Sequence, residues 1–257
     1  MIALVSVGTY LSRRTTNPLT GRTQHISVTE EQEIAMGLQA APEMAKQFGG
    51  LAPDPDAQNL VDTVGAELVA VLPESAVDYP YDFHVLNDDK TVNAFALPGG
   101  QVFITTALLG RLESRGQLAG VLAHEIGHVV GRHSAERIAK AELTQGLVGA
   151  ATVAGSESQS GARTAQAVAS MVGNMVNLKY GRGDELESDS LGVLFMVRAG
   201  YDPNSMKRVM EILREASGGG GQPEFMSSHP DPGNRIVEIE RAIKVHFPDG
   251  LPPGLKP

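Results

Sequence analysis

The 257-residue chain contains no cysteine. That absence excludes a disulfide framework, a thiolate metal ligand and a lipid-bearing cysteine in this sequence, so any metal must be held by His, Asp or Glu. Basic residues are also in deficit, with 21 Lys and Arg against 30 Asp and Glu and a formal charge of −9. A nucleic-acid surface needs clustered Lys and Arg, so that class of partner is set aside, and acidity of this size is read as solubility. Long apolar runs are missing as well. The short run that opens "MIALVSVGTYLSRR" falls far below the ~18–20 residues of a spanning helix. It also precedes its two arginines, whereas a signal peptide carries basic residues first. The chain as given reads as soluble, with an ordered amphipathic start. What remains is ordinary globular composition, 42% hydrophobic and 20% charged, long enough to bury a core as one sizeable domain or two small ones.

Periodicity gives an outline. "SVTEEQEIAMGLQAAPEMAKQF" has a Thr29 cap, early acids and helical spacing, and "PDAQNLVDTVGAELVAVL" reads as a second helix. "YDFHVLND" alternates as a strand. In "TVNAFALPGGQVFITTALL", Pro98-Gly99 suits the middle of a type II turn between two extended arms. From Gln117 onward the period is helical, with Gly- and Pro-marked loops and a flexible connector in "SGGGGQP". No internal repeat is found. The expectation is an α+β, mostly helical fold with a small antiparallel sheet just before a key helix.

That helix carries "VLAHEIGHVVGRH" over Val121–His133. His124 and His128 are four residues apart, about 400° of helix, so both imidazoles leave one face about a turn apart and can reach one zinc. Glu125 is placed to act on a metal-bound water as general base. Two histidines and a glutamate on an otherwise apolar helix need partners to pair them. His133 is a tempting third ligand, but the metzincin position is Ser134, one residue later. On a continuous helix His133 lies about 900° from His124, on the opposite face, and reads as a surface or helix-end residue.

A better third ligand lies in "YGRGDELESDSLGVLF". Glu185 and Asp189 share one helix face. Glu185 completes a His₂Glu site, and Asp189 can accept the other ring N–H of a ligand histidine. Glu187, about 200° around the helix from Glu185, should face away. The competing reading is an acidic helix N-terminus favoured by the macrodipole.

"VNAFALPGG", "AHEIGHVVGRHS", "ELESDSLG" and "SSHPDPGNRI", in that order, resemble the HtpX and CAAX-prenyl-protease family of zinc metallopeptidases, of gluzincin type, and most nearly its soluble bacterial envelope branch. The resemblance runs from about Thr29 to Val245. It implies a zincin-like metallopeptidase domain over 29–247, between an N-terminal extension, 1–28, and a C-terminal tail, 248–257. It further implies a zinc endopeptidase with one Zn²⁺ per chain on His124, His128 and Glu185, and Glu125 as base. His229 or Arg235 would help with the oxyanion, and Asn93 and Ala94 would lie nearest the scissile bond. Unfolded or misassembled proteins of the bacterial periplasm or cell envelope would be its substrates. Two departures from the family pattern stand out. The stretch after the HExxH helix is small-residue-rich and interrupted where membrane-embedded relatives have transmembrane helices, and this sequence stops at Pro257 without the helical-repeat region some envelope relatives carry. Peripheral membrane association and oligomeric state stay open.

Several alternatives remain at this point. The hairpin could pair with an extended substrate or only support the helix. Residues 146–173, rich in small side chains, could form a lid or a rigid connection. His229, before Pro230 on a movable loop, could stabilise the oxyanion, block zinc's fourth position, or lie on the surface. The chain as a whole could be a chaperone-like binder that does not cut, or an exopeptidase.

Overall fold

The computed structural model describes residues 2–153, 179–217, 223–230 and 233–257. A first helix, α1 (Ile2–Ser12), leads into a hairpin of β1 (Arg14–Thr16) and β2 (Thr23–His25). Helix α2 (Glu30–Gln47) starts where the sequence signals it, with a Thr29–Gln32 capping box closing two of the free amides of its first turn. Helix α3 (Pro55–Val69) starts with the Asp54 carboxylate accepting the amides of Asp56 and Ala57.

Three strands follow, β3 (Asp82–Leu86), β4 (Ala94–Ala96) and β5 (Gln101–Thr105), in spatial order β3-β5-β4. The sheet is mixed where an antiparallel one was expected. β4 and β5 pair antiparallel, whereas β3 and β5 run parallel. After Leu86 the chain skips one strand position, and β5 then fills it; nothing in an alternating pattern records that skip. The β4–β5 turn is the expected one, with Gly100 N–H on Leu97 O at 3.4 Å and Gly99 at φ +80°. It also docks on α2, where a Cβ on Gly99 would lie 2.4 Å from the Ile34 Cα.

After α4 (Thr106–Leu109) comes α5 (Arg115–Val130), N-capped by Ser114, and residues 116–130 are all buried. Around it stand α3, the sheet, α6 (His133–Val153), α7 (Arg182–Arg198) and α8 (Ser205–Ser217). Short α9 (Glu224–Ser228) and α10 (Arg235–His246) complete the described helices. The main apolar core joins α3, the sheet, α5, α7 and α8, and a smaller one stacks Phe95 on Phe103 beneath α2. None of the described helices is long and apolar enough to cross a membrane. The lid considered for 146–173 falls partly in α6, and its remainder, from residue 154, lies outside the described residues.

Two close fittings position the site. First, the β1–β2 hairpin caps the far end of α5. Asn17 Nδ2 donates to Val130 O at 2.9 Å and Gln24 Nε2 donates to Gly131 O at 2.5 Å, satisfying carbonyls the helix end leaves free. The 1–28 stretch thus makes direct contact with the end of α5. Second, α7 lies against α5 at Gly127, where a Cβ would meet Ser188 Oγ at 2.6 Å and Ser188 O at 2.9 Å. Gly127→Ala should therefore destabilise. Overpacking of about 1–3 kcal/mol opposes a helix-propensity gain of about 1 kcal/mol, for a net loss of about 0–2 kcal/mol. Urea unfolding measures it, and an alanine variant more stable than wild type would contradict this contact.

Candidate metal centre

The α5–α7 contact brings two helix faces together. His124 and His128 leave α5 on one side, and Glu185, one turn into α7, meets them. The His124 and His128 Nε2 atoms are 3.1 Å apart. Each lies 3.5 Å from a Glu185 carboxylate oxygen. A fourth group comes from the residue after α9: His229 Nδ1 is 3.3 Å from His124 Nε2 and 3.1 Å from Glu185 Oε1. One ligand atom from each of these four buried residues lies within 4.8 Å of all the others.

These separations fit a cation. Donors about 2.0–2.1 Å from a tetrahedral zinc would stand about 3.3 Å from one another. The chemistry agrees, because three imidazole nitrogens and a carboxylate converging in a water-poor interior repel one another unless positive charge sits among them. Without an ion, protons play that part. Burial and Arg235 push the His124 pKa down, but hydrogen bonds to Asp189 and Glu185 outweigh them and raise it to about 9. His128 moves the opposite way: burial holds it well below the usual imidazole range, in the neutral form that ligates metal. Burial works against the Glu185 charge, yet His229, His124 and His128 hold its carboxyl well below the usual carboxylate range.

Asp189 stands one turn beyond Glu185, with Oδ1 2.9 Å from His124 Nδ1. Arg235, the first residue of α10, is fully buried and donates to Asp189 at 2.6 and 2.8 Å, while its Nη1 lies 3.2 Å from Glu185 Oε2. The guanidinium therefore neutralises the carboxylates behind the donors. Asp189, for which burial alone would raise the pKa, is held below its usual value by Arg235 and His124. Glu125 is fully buried, and neither carboxylate oxygen has a hydrogen-bond partner among the described residues. His229 Nε2 lies 3.6 Å from Glu125 Oε1. Asn93 and Ala94 sit at the start of edge strand β4, both fully buried, with the Asn93 side-chain amide unpartnered among the described residues.

His133 needs correcting. It is no surface residue: it is fully buried, and its Nδ1 lies 2.8 Å from His128 Nδ1. The angular argument failed because α5 is not continuous with α6. Gly131 ends α5, Arg132 takes a left-handed turn at φ +53°, and His133 opens the next helix facing back. Gly131 was the available signal, a helix-stopping residue. Glu187 does face away from the donor atoms, onto His133 and Arg22. Aromatic packing around the centre left no sequence signal. Tyr180 stacks on His128 at 3.8 Å, Arg137 lies 4.0 Å over the Tyr180 ring, and Phe225 stacks on His229 at 4.5 Å.

Comparison with known proteins gives one family match, to a model described as Peptidase family M48, over residues 55–243. The chain is 31% identical to the beta-barrel assembly-enhancing protease of Yersinia pestis over 232 residues, 86% of this chain and 46% of that protein. It is 34% identical to the mitochondrial metalloendopeptidase OMA1 of Schizosaccharomyces pombe over 226 residues, 87% of this chain and 64% of that one. With the human mitochondrial metalloendopeptidase OMA1 identity is 29% over 254 residues, 93% and 48% of the two chains. The chain spans about half the length of most of these relatives.

Proposed function

The chain belongs to peptidase family M48, and from that premise we propose that it is a zinc-dependent endopeptidase acting on unfolded or misassembled proteins. The observation that carries this reading is the ring of donors, with edges of 3.1–3.5 Å, beside the buried Glu125, which has no hydrogen-bond partner among the described residues. His124, His128 and Glu185 would hold the metal, and a His₂-carboxylate set suits zinc. Bound there, zinc supplies a Lewis acid that makes water acidic near neutral pH and polarises a carbonyl.

The protein's groups do the rest. Glu125 takes the proton of the attacking water and passes it to the leaving amine. Asp189 accepts the Nδ1–H of His124 and so points its Nε2 inward, while Arg235 keeps Asp189 ionised and lies against Glu185. Ala94 on edge strand β4 and the Asn93 side-chain amide beside it, unpartnered among the described residues, are the groups an extended peptide would meet once the chain covering them parts. Backbone pairing there gives affinity with little sequence preference. The relatives named as proteases of beta-barrel assembly and of mitochondria support a quality-control role. The motifs favour the bacterial periplasm or cell envelope as its place.

His229 occupies the side of the ring left after His124, His128 and Glu185, so its neutral imidazole fits the fourth position and would keep the enzyme latent until substrate draws its loop away. His229→Ala should then cleave an unfolded protein faster than wild type with zinc retained. A slower reaction would assign His229 to the oxyanion instead, and an unchanged rate would deny it both roles. Mass spectrometry of the fragments, with metal analysis of the purified protein, tests the wider reading. Internal cuts are expected, terminal trimming would indicate an exopeptidase, and an intact substrate would indicate a chaperone-like binder.

A further inference from the structure

The two α5 histidines lean on different partners. His124 rests on a carboxylate, Asp189. His128 rests on a second imidazole, that of His133, with both rings buried and the two Nδ1 atoms 2.8 Å apart. Beyond it, His133 Nε2 lies 2.8 Å from Glu187 Oε2. Arg22, from the loop of the β1–β2 hairpin, reaches the same oxygen with its Nε at 3.0 Å. Its other N–H groups hold Asp184 at 2.8 Å and Glu136 at 2.5 Å. Gly131 leaves room for the arrangement, since a Cβ there would lie 2.5 Å from His133 Nε2.

Two nitrogens in hydrogen-bond contact share one hydrogen, and the surroundings decide where it sits. For the His128 Nε2 to offer a lone pair to the donor ring, its hydrogen must be on Nδ1. His128 therefore donates and His133 Nδ1 accepts. A neutral His133 then carries its own hydrogen on Nε2, pointed at a carboxylate that only accepts, and Arg22 keeps Glu187 in place. With His128 ligating through Nε2, the hydrogens of both rings meet acceptors, His133 Nδ1 and Glu187 Oε2.

We propose that His133 is a positioning residue of the metal centre, which, backed by Glu187 and Arg22, holds His128 in the Nδ1–H tautomer with Nε2 aimed at the metal. This rests on the metallopeptidase reading above. It assigns the N-terminal hairpin a part in metal affinity, although no residue of the hairpin belongs to the donor set.

The test is zinc titration of metal-stripped protein against a competing chelator, joined to ¹⁵N NMR of the histidine rings in the zinc-loaded wild type. His133→Leu should weaken zinc binding by about 10–100-fold, the usual effect of losing a group that orients a ligand. His133→Gln, whose amide can both accept and donate, should stay close to wild type. In the wild-type spectrum His133 should be neutral and protonated on Nε2, a readout that needs no variant to fold. A histidine serving only structure would lower the urea midpoint of the metal-free protein and leave zinc affinity intact. The proposal is overturned if His133→Leu binds zinc as tightly as wild type, or if His133 proves protonated on Nδ1. A wild-type protein that takes up no zinc would sink the metallopeptidase reading, and this proposal with it.

Discussion

Glu125→Gln is expected to keep its zinc and its fold while cleavage falls by about 10²–10⁴-fold, the usual contribution of a positioned proton-transfer group. The substitution keeps the side chain's shape and removes only its charge and basicity. Glu125 is not among the four residues whose donor atoms converge, so metal content should not change. The sign of the stability effect separates this role from a structural one. Neither oxygen of this fully buried carboxylate is hydrogen-bonded among the described residues, with His229 Nε2 no nearer than 3.6 Å, so folding gains little from it. The variant should unfold at the same urea concentration as wild type or a higher one. Metal analysis, urea unfolding and the rate on an unfolded protein make up the test. Retention of most of the activity would remove Glu125 from the mechanism.

Removing Glu185 and removing Asp189 should fail in different ways. Glu185→Ala takes away one of the proposed zinc ligands, and the purified variant should contain essentially no zinc. Asp189→Ala leaves the ligands in place but frees the His124 ring, so metal affinity should fall by about 10–100-fold. It also takes two hydrogen bonds from the fully buried Arg235 and leaves it the Glu185 contact at 3.2 Å. Breaking a buried pair from one side costs about 3–5 kcal/mol, so Asp189→Ala should be the less stable protein when both are metal-free. Asp189→Asn, which keeps an acceptor beside His124, should recover part of both losses. Chelator competition and urea unfolding of the stripped proteins give the two rankings. Zinc content equal to wild type in Glu185→Ala would send the search for a third ligand elsewhere.

The legible part of this centre is the part written in helical spacing. His124 and His128, and again Glu185 and Asp189, are four residues apart, and α5 and α7 realise both pairs as shared faces. The cap at Thr29 and the turn at Pro98-Gly99 are likewise local in origin. What escaped depends on events between elements. His133 turned inward because Arg132 adopts a left-handed conformation that breaks the helix, and periodic reasoning carried α5 one turn too far. Arg22 was missed because its partners Glu136, Asp184 and Glu187 lie more than a hundred residues away in sequence. The parallel β3–β5 pairing was hidden for the same reason: strand order is a property of packing, and residue alternation is blind to it.

The long reach of these contacts has a consequence for a chain still being made. Arg235, whose Nη2 lies 3.3 Å from His124 Nδ1, is 111 residues further along the chain. At about 5–20 residues per second, roughly 6–22 s separate the synthesis of the two. Throughout that interval the HEIGH helix exists without the arginine that keeps Asp189 charged, and for much of it without Asp189 itself. A product terminated ahead of Arg235 would lack the two hydrogen bonds that hold Asp189 behind His124.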